Sequence, residues 1–194
     1  NAVVSTVGEI LTGADQRSGM MKVSPDGKQL CQTQQYSIYN TYNDPKRFFQ
    51  LFDFDNSSGI VFHPLPLPYI GGEFGLSFSP DNSKLYCATW KAFNFTTSDS
   101  NYLYQFDLSS SVDSTIYHSR QIIYATPLSS NVFGSLKIGP DGKVYVALNN
   151  SGYVGVINEP NLAGSLCNYN HNGFYLQGKT CKFGLNNYIE YTNY

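Results

Sequence analysis

The sequence predicts an all-β protein, and three observations lead to that prediction. First, a strand–turn–strand segment occurs three times, at Ser18–Gln34, Gly71–Trp90 and Asn131–Asn149. Second, apolar residues alternate along both arms of each segment, which is the period of half-buried strands. Third, aromatic residues make up 15% of the chain, beside 17 Gly and 9 Pro, as is typical of packed strands joined by tight turns. No long helical pattern intervenes.

The turn of each hairpin has a defined chemistry. Proline presets φ, aspartate can hydrogen-bond nearby backbone, and glycine or asparagine supplies the left-handed residue that returns the chain to the ladder. We therefore interpret the aspartates as turn-forming rather than catalytic or metal-binding. The structural turn residues are Pro25, Asp26 and Gly27, then Pro80, Asp81 and Asn82, and finally Pro140, Asp141 and Gly142. In the second turn Ser83 reads as an extra residue.

Further strand-like segments follow each hairpin, so that each unit has about four strands. They lie at residues 47–55, 59–65, 101–109, 119–128 and 152–158. The turn prolines are 55 and 60 residues apart, which suits a four-stranded β-propeller blade. A β-sandwich is the alternative, but it does not predict one hairpin recurring in register. We predict a single partial β-propeller of the WD/YVTN type over residues 1–194, with blade units at about 13–70, 71–130 and 131–194 and a fragment of another blade at 1–12.

Composition excludes several partners. The net charge is −2 with a pI near 5.9, charged residues are only 13%, and no Lys/Arg cluster occurs, so neither nucleic acid nor an anionic membrane is expected to bind. No apolar run approaches the roughly 18 residues of a membrane helix. The chain starts at Asn1 within a strand-like segment, and we interpret it as a fragment or a processed product.

The four cysteines fall into two pairs. Cys31 and Cys87 are placed alike in successive hairpins, where Val146 stands in the third, which indicates small, buried, reduced positions. Cys167 and Cys181 flank a polar, Gly-containing segment that reads as a loop. A disulfide between them would close that loop and would imply an oxidising compartment. Metal binding is the weaker alternative, because no Cys-x-x-Cys spacing occurs and His171 is the only nearby imidazole.

The sequence has no recognisable catalytic, cofactor-binding or metal-binding motif. We expect no catalytic residue, no cofactor and no metal. His63, which precedes Pro64, reads as a half-exposed structural histidine. The long insertion after the second hairpin carries Trp90, Phe93 and Phe95, which can contact a sugar or peptide, although such residues more often pack their own loop.

Several segments resemble one propeller family. They are "GLSFSPDNSKLYCATW", "NYLYQFDL", "GSLKIGPDGKVYVALNNSGYVGVINEPNLAGSLCNY" and "FGLNNYIEY", and the resemblance is strongest over 133–187. The family occurs in large secreted proteins of Bacteroidetes, described as gliding-motility-associated or type-IX-secretion type-B-sorting proteins. Asn186 stands where the family has proline. The resemblance implies the C-terminal half of a propeller, an extracellular or cell-surface location, and an adhesive or scaffolding role. It carries over no catalytic residue.

These observations leave three hypotheses for function. The first is a non-enzymatic binding or scaffolding module of a secreted or surface bacterial protein, which binds glycan, protein or a sister chain. The second is a fragment of a propeller lyase or glycosidase whose active residues lie in the missing half. The third is a structural subunit of an extracellular fibre or surface layer.

The sequence also predicts a partner. Closed propellers need at least roughly four blades, so three blades should expose apolar flanks that carry residues such as Leu76, Phe78, Leu136 and Ile138. We expect the remainder of the parent propeller to cover them, and a second copy of the chain is the next candidate. Direct membrane insertion is not expected.

Overall fold

A computed structural model describes residues 2–8, 19–33, 49–68, 72–89, 100–127 and 132–185. These residues form three four-stranded antiparallel sheets in which each strand pairs with the next in the chain, so the predicted all-β class with three four-stranded units is confirmed. Sheet I comprises β1 (Met21–Val23), β2 (Gln29–Thr33), β3 (Phe49–Asp55) and β4 (Ile60–Pro66). Sheet II comprises β5 (Glu73–Phe78), β6 (Lys84–Thr89), β7 (Ser100–Asp107) and β8 (Gln121–Pro127). Sheet III comprises β9 (Phe133–Ile138), β10 (Val144–Leu148), β11 (Tyr153–Ile157) and β12 (Tyr169–Tyr175).

Two short helical turns interrupt the strands of the described residues. Helix α1 (Asp113–His118) joins β7 to β8, and a 3-10 turn (Gly164–Cys167) joins β11 to β12. Each follows the third strand of its sheet. In an antiparallel sheet this connection lies at the same end as the one between the first two strands, so both helical turns lie at the end that carries the proline turns. The inner strand of each sheet is its first, because successive sheets meet through β1, β5 and β9.

The three hairpin turns have the backbone expected from their residues. Gly27, Asn82 and Gly142 adopt left-handed φ values of 68°, 65° and 75°. Their N–H groups donate to the carbonyls of Ser24, Ser79 and Gly139 at 2.9, 3.0 and 3.0 Å. The neighbouring aspartates accept hydrogen bonds from within their own turns, as Asp26 does from Ser24 and Asp81 from Ser79.

The alignment of the first two hairpins differs from the predicted one. Val23 pairs with Leu30 and Phe78 pairs with Leu85, so the two turns have the same length and the third is one residue shorter. Cys31 therefore follows the matching leucine by one residue and Cys87 by two. A shift of one residue reverses the face of a strand. Both thiols are buried, as predicted, but they enter the same apolar cluster from opposite sides, between sheets I and II.

Two apolar clusters hold the three sheets together. One joins Phe49 and Leu51 of sheet I to Leu76 and Phe78 of sheet II. The other joins sheets II and III in the same way. The expectation that Leu76, Phe78, Leu136 and Ile138 lie on open flanks is therefore wrong, because all four are buried between successive sheets.

Sheet III ends earlier in the chain than the predicted third unit. The segment between Cys167 and Cys181, interpreted from sequence as a loop, contains β12, which pairs with β11. After β12 the chain passes over the far face of sheet III, where Leu176, Cys181 and Leu185 pack with Ala147 and Val154. Leu185, the last described residue, lies close to β9, because its N–H donates to Ser135 Oγ at 2.9 Å.

Candidate functional site

Trp90, Phe93 and Phe95 of the predicted contact loop lie outside the described residues, between Thr89 at the end of β6 and Ser100 at the start of β7. The loop nevertheless joins the second and third strands of sheet II. The equivalent connection in sheet III is the turn from Leu148 to Tyr153, which is described and lies at the same end of its sheet.

The predicted disulfide between Cys167 and Cys181 is wrong, because all four cysteines of the structure are free thiols. Cys167 packs between sheets II and III, near the hydroxyl of Tyr86. Cys181 belongs to a separate cluster on the far face of sheet III. Cys167 precedes β12 and Cys181 follows it, and the two side chains lie on opposite faces of sheet III. The inference of an oxidising compartment from this pair therefore has no basis in the structure.

An aromatic surface lies between the outer strands of sheets II and III. We define it as Tyr124 of β8, Tyr153 of β11, and His171 and Tyr175 of β12. The ring of Tyr124 stacks on the imidazole of His171, with ring centroids 4.8 Å apart and an interplanar angle of 13°. Tyr153 and Tyr175 are cross-strand partners with ring centroids 5.1 Å apart. The three tyrosines are all at least a third exposed.

The faces of the strands explain why these side chains lie between sheets II and III. Tyr153 is on the same face of β11 as buried Ile157, which packs against sheet II. Tyr169 pairs with Ile157, and His171 lies at the irregularity of β12 that follows, where its ring contact with Tyr124 shows that it faces sheet II. On the opposite side, Tyr124 pairs with Leu103, which belongs to the cluster between the sheets. All four members of the aromatic surface therefore lie on the faces by which sheets II and III are turned toward each other.

The aromatic surface is electrically neutral near pH 7. Burial lowers the pKa of His171 below its usual value, so the imidazole is uncharged in neutral solution. The imidazole Nδ1 is 3.0 Å from the hydroxyl of Tyr169, and burial raises the pKa of that phenol. The surface can consequently offer ring faces and hydroxyl groups to a ligand, but no charge.

A second cluster contains a histidine between two carboxylates. His63 Nδ1 is 2.8 Å from Asp53 Oδ2, and Nε2 is 3.1 Å from Asp113 Oδ2, at the first turn of α1. The hydrogen bond to Asp53, followed by that to Asp113, raises the pKa of His63. His63 is half-exposed, as predicted, and its backbone is left-handed with φ 50°. Since both ring nitrogens are engaged, the group ties sheet I to sheet II and has no nitrogen left to act as a base.

Two further carboxylates accept hydrogen bonds from neighbouring side chains of their own sheets. Asp55 accepts from the hydroxyls of Ser57 and Ser58, which lower its pKa to about 2. Asp107 accepts from Ser109 and from Lys84 Nζ, at 2.7 and 3.1 Å. Within the described ranges no three His, Cys, Asp or Glu residues converge as metal ligands. No helix of the described residues is long and apolar enough to cross a bilayer.

Comparisons with known proteins add evidence on the fold. No protein-family model and no curated protein matches the sequence. Among solved structures, the gluconolactonase XC5397 of Xanthomonas campestris is similar at a TM-score of 0.54 and 14% identity, over 90% of this chain and 52% of that one. The hydrazine synthase of Kuenenia stuttgartiensis is similar at a TM-score of 0.42 and 16% identity, over 72% of this chain and 40% of that one.

The likeness to the gluconolactonase concerns the fold alone. That enzyme has a propeller fold, and the three successive four-stranded sheets of this chain agree with a part of such a propeller. The chain spans about half the length of the enzyme. The class of protein defined here is therefore an all-β chain with a partial propeller architecture and a group of exposed aromatic side chains on the outer strands of two of its sheets.

Proposed function

We propose that this chain is a non-enzymatic binding module of a secreted or cell-surface bacterial protein and that it binds a neutral carbohydrate at the aromatic surface. The observation that carries the proposal is the exposed Tyr153–Tyr175 pair of sheet III, in the same sheet as His171, whose imidazole stacks on Tyr124 of sheet II. Tyrosine rings offer an apolar face to the C–H groups of a sugar, and their hydroxyls can hydrogen-bond its polar edge. Because the surface is neutral, an uncharged polysaccharide suits it better than an anionic one.

The cellular setting belongs to the same proposal. The resemblance to secreted propellers of Bacteroidetes supports a role in adhesion at the cell surface, in proteins associated with gliding motility and type IX secretion. The low charged fraction of 13% and the many tyrosines are compatible with that setting. The first hypothesis drawn from the sequence is thereby sharpened from an unspecified ligand to a neutral glycan.

The test is retention of the chain in gels that contain a neutral polysaccharide. Xylan, mannan and a β-glucan serve as probes, with heparin as the charged comparison. We expect at least one neutral polysaccharide to retard the chain, and Tyr153→Ala/Tyr175→Ala to weaken the retardation by about tenfold or more. Tyr117→Ala is the matched control, since Tyr117 is similarly exposed on α1, away from the aromatic surface. If no neutral polysaccharide retards the chain, or if Tyr153→Ala/Tyr175→Ala and Tyr117→Ala are retarded equally, the proposal is overturned.

An enzyme fragment is the second candidate, and the gluconolactonase likeness favours it. In that case the catalytic groups would belong to a part of the propeller outside the described residues. The discriminating measurement is hydrolysis of glucono-1,5-lactone by the purified chain, followed by acid release. We expect the rate to equal that of buffer alone, and a protein-dependent rate would favour the enzyme.

A further inference from the structure

The first sheet of the chain has an open apolar face. We call the face of a sheet that is turned toward the preceding sheet its leading face. In sheets II and III the leading positions of the inner strand are occupied by Leu76 and Phe78, and by Leu136 and Ile138, all at most 5% exposed. The equivalent residues of β1 are Met21 and Val23, which are 58% and 42% exposed. A position that is otherwise buried between sheets is therefore uncovered in sheet I.

Only the outer half of that face has a cover. Residues 2–8 run along β3 and β4, where Ser5 Oγ accepts a hydrogen bond from the Val61 N–H at 3.0 Å. Gly8 approaches the ring of Phe52 so closely that a Cβ there would touch it. The inner half, formed by β1, has no such cover among the described residues. Among the residues that the structure describes, no inner strand of a preceding sheet lies against this face.

A segment close to Leu185 has the sequence of an inner strand. The sequence Phe183-Gly184-Leu185 repeats Phe74-Gly75-Leu76 of β5. The Phe183 carbonyl accepts from the Ser135 N–H of β9 at 2.7 Å. A Cβ on Gly134 would collide with this carbonyl, just as a Cβ on Gly75 would collide with the Gly134 carbonyl. Phe183–Leu185 thus lies against β9, on the face of sheet III that is turned away from sheet II.

We propose that two copies of this chain associate head to tail, with the β1 face of each packed against the Phe183–Leu185 end of the other. The two ends are complementary parts of an interface that occurs twice within the chain, between sheets I and II and between sheets II and III. Such a heterologous contact forms a closed ring when its rotation closes. The chain covers 52% of the gluconolactonase, so two copies supply about the length of one such propeller.

Light scattering coupled to size exclusion tests the association. We expect a mass about twice the 21.6 kDa of the chain. The variant Met21→Glu/Val23→Glu places two carboxylates on the β1 face and should give the mass of one chain. The matched control is Ile122→Glu/Leu166→Glu, which changes two comparably exposed apolar residues elsewhere and should keep the doubled mass. Far-ultraviolet circular dichroism verifies that both variants keep the strand spectrum.

Each other outcome is decisive. A wild-type chain that is monomeric at 100 µM overturns the proposal and leaves a sheet from elsewhere in a longer protein as the occupant of the β1 face. An assembly that survives Met21→Glu/Val23→Glu, or that the control also dissociates, overturns it as well. If the double variant fails to fold, the single variant Val23→Ser should weaken the dimer at least tenfold. Polysaccharide retention is a separate readout, because Met21 and Val23 are not part of the aromatic surface.

Discussion

At the scale of single residues, protonation of His63 stabilises the folded state, whereas protonation of His171 destabilises it. Hydrogen bonds with Asp53 and then Asp113 raise the pKa of His63, so the folded state binds its proton more tightly than the unfolded state does. Burial lowers the pKa of His171, so folding favours its neutral form. The stabilisation from His63 is complete below the ordinary histidine pKa and is lost as the pH rises. For His171 the stability declines as the pH falls below that value.

The pH dependence of His63 can be isolated by His63→Asn. Asparagine tolerates the left-handed backbone at this position, so the substitution removes the imidazole with little added strain. We expect the wild type to be more stable than the variant at pH 5.5 and to lose most of that advantage by pH 8.5. Because the cluster is about half-exposed, the advantage should stay below about 1 kcal/mol. Urea unfolding at the two pH values measures it.

The matched control for this measurement is His118→Asn, which changes an exposed histidine whose Nδ1 contacts the Ser114 carbonyl. The control leaves the contacts of His63 with Asp53 and Asp113 intact, so the difference between the two variants isolates that cluster. An advantage of the wild type over His63→Asn that is equal at both pH values would contradict a charged His63 between Asp53 and Asp113.

The thiols give a second prediction for single residues. All four cysteines are free and buried, and burial raises the pKa of Cys31 and Cys167. We expect iodoacetamide to modify none of them in the native chain within minutes, and all four in denaturant without reductant. Mass spectrometry counts the adducts. Only two adducts in denaturant would restore the Cys167–Cys181 disulfide that the sequence suggested.

At the scale of the strand, the spacing between sheets depends on glycines that have no side chain to interpose. Gly75 and Gly134 lie near the start of successive inner strands, and each faces a backbone carbonyl, that of Gly134 for Gly75 and that of Phe183 for Gly134. The hydroxyl of Thr33 likewise donates to the Phe74 carbonyl at 3.2 Å. Sheets II and III therefore approach each other through the backbone of β5 and β9, and sheet I contacts β5 through the Thr33 hydroxyl.

The variant Gly134→Ala tests this close approach. Its Cβ would collide with the Phe183 carbonyl, which must move and lose its hydrogen bond from Ser135. We expect a loss of about 2–3 kcal/mol in the free energy of unfolding, measured by urea titration. The control is Gly184→Ala, where a Cβ would meet no atom within 4 Å and the loss should stay within about 0.5 kcal/mol. Equal losses in the two variants would exclude the assigned position of Phe183.

At the scale of the whole molecule, stability depends on the stacking of sheets rather than on any one sheet. Sheet II is covered on both faces, and its side chains Leu85, Tyr86 and Leu103 are fully buried. Sheet I is covered on one face and only partly on the other. We therefore expect sheet I to open locally more often than sheet II.

Hydrogen exchange read by mass spectrometry measures that difference. We expect amides of β6 and β10 to exchange slowest and those of β1 and β2 at least about tenfold faster, when the chain is dilute enough to be monomeric. Raising the concentration should slow exchange in β1 if a second copy covers Met21 and Val23. Uniform protection of the three sheets in the dilute chain would refute this expectation.

Local chemistry explains which parts of this protein the sequence alone determined. The turns at Pro25, Pro80 and Pro140 follow from proline, aspartate and a left-handed residue within four positions, and the strands follow from alternation beside them. The count of three four-stranded units then follows from the spacing of those turns. These features depend on contacts between residues close in the chain, which a sequence displays directly.

The tertiary structure decided the features that depend on distant contacts. Cys31 and Cys87 differ by one residue in their position relative to the matching leucines, so each side chain faces the other's sheet. The segment after Cys167 has the composition of a polar loop, but it forms β12 because it pairs with β11. Alternation of Tyr169 and His171 with Asn170 and Asn172 was the available signal for that strand, but its polar residues concealed it. The aromatic surface joins β8 to β12 across 47 positions between Tyr124 and His171. Its existence depends on how one sheet packs on the next, because the side chains meet only after both sheets have formed.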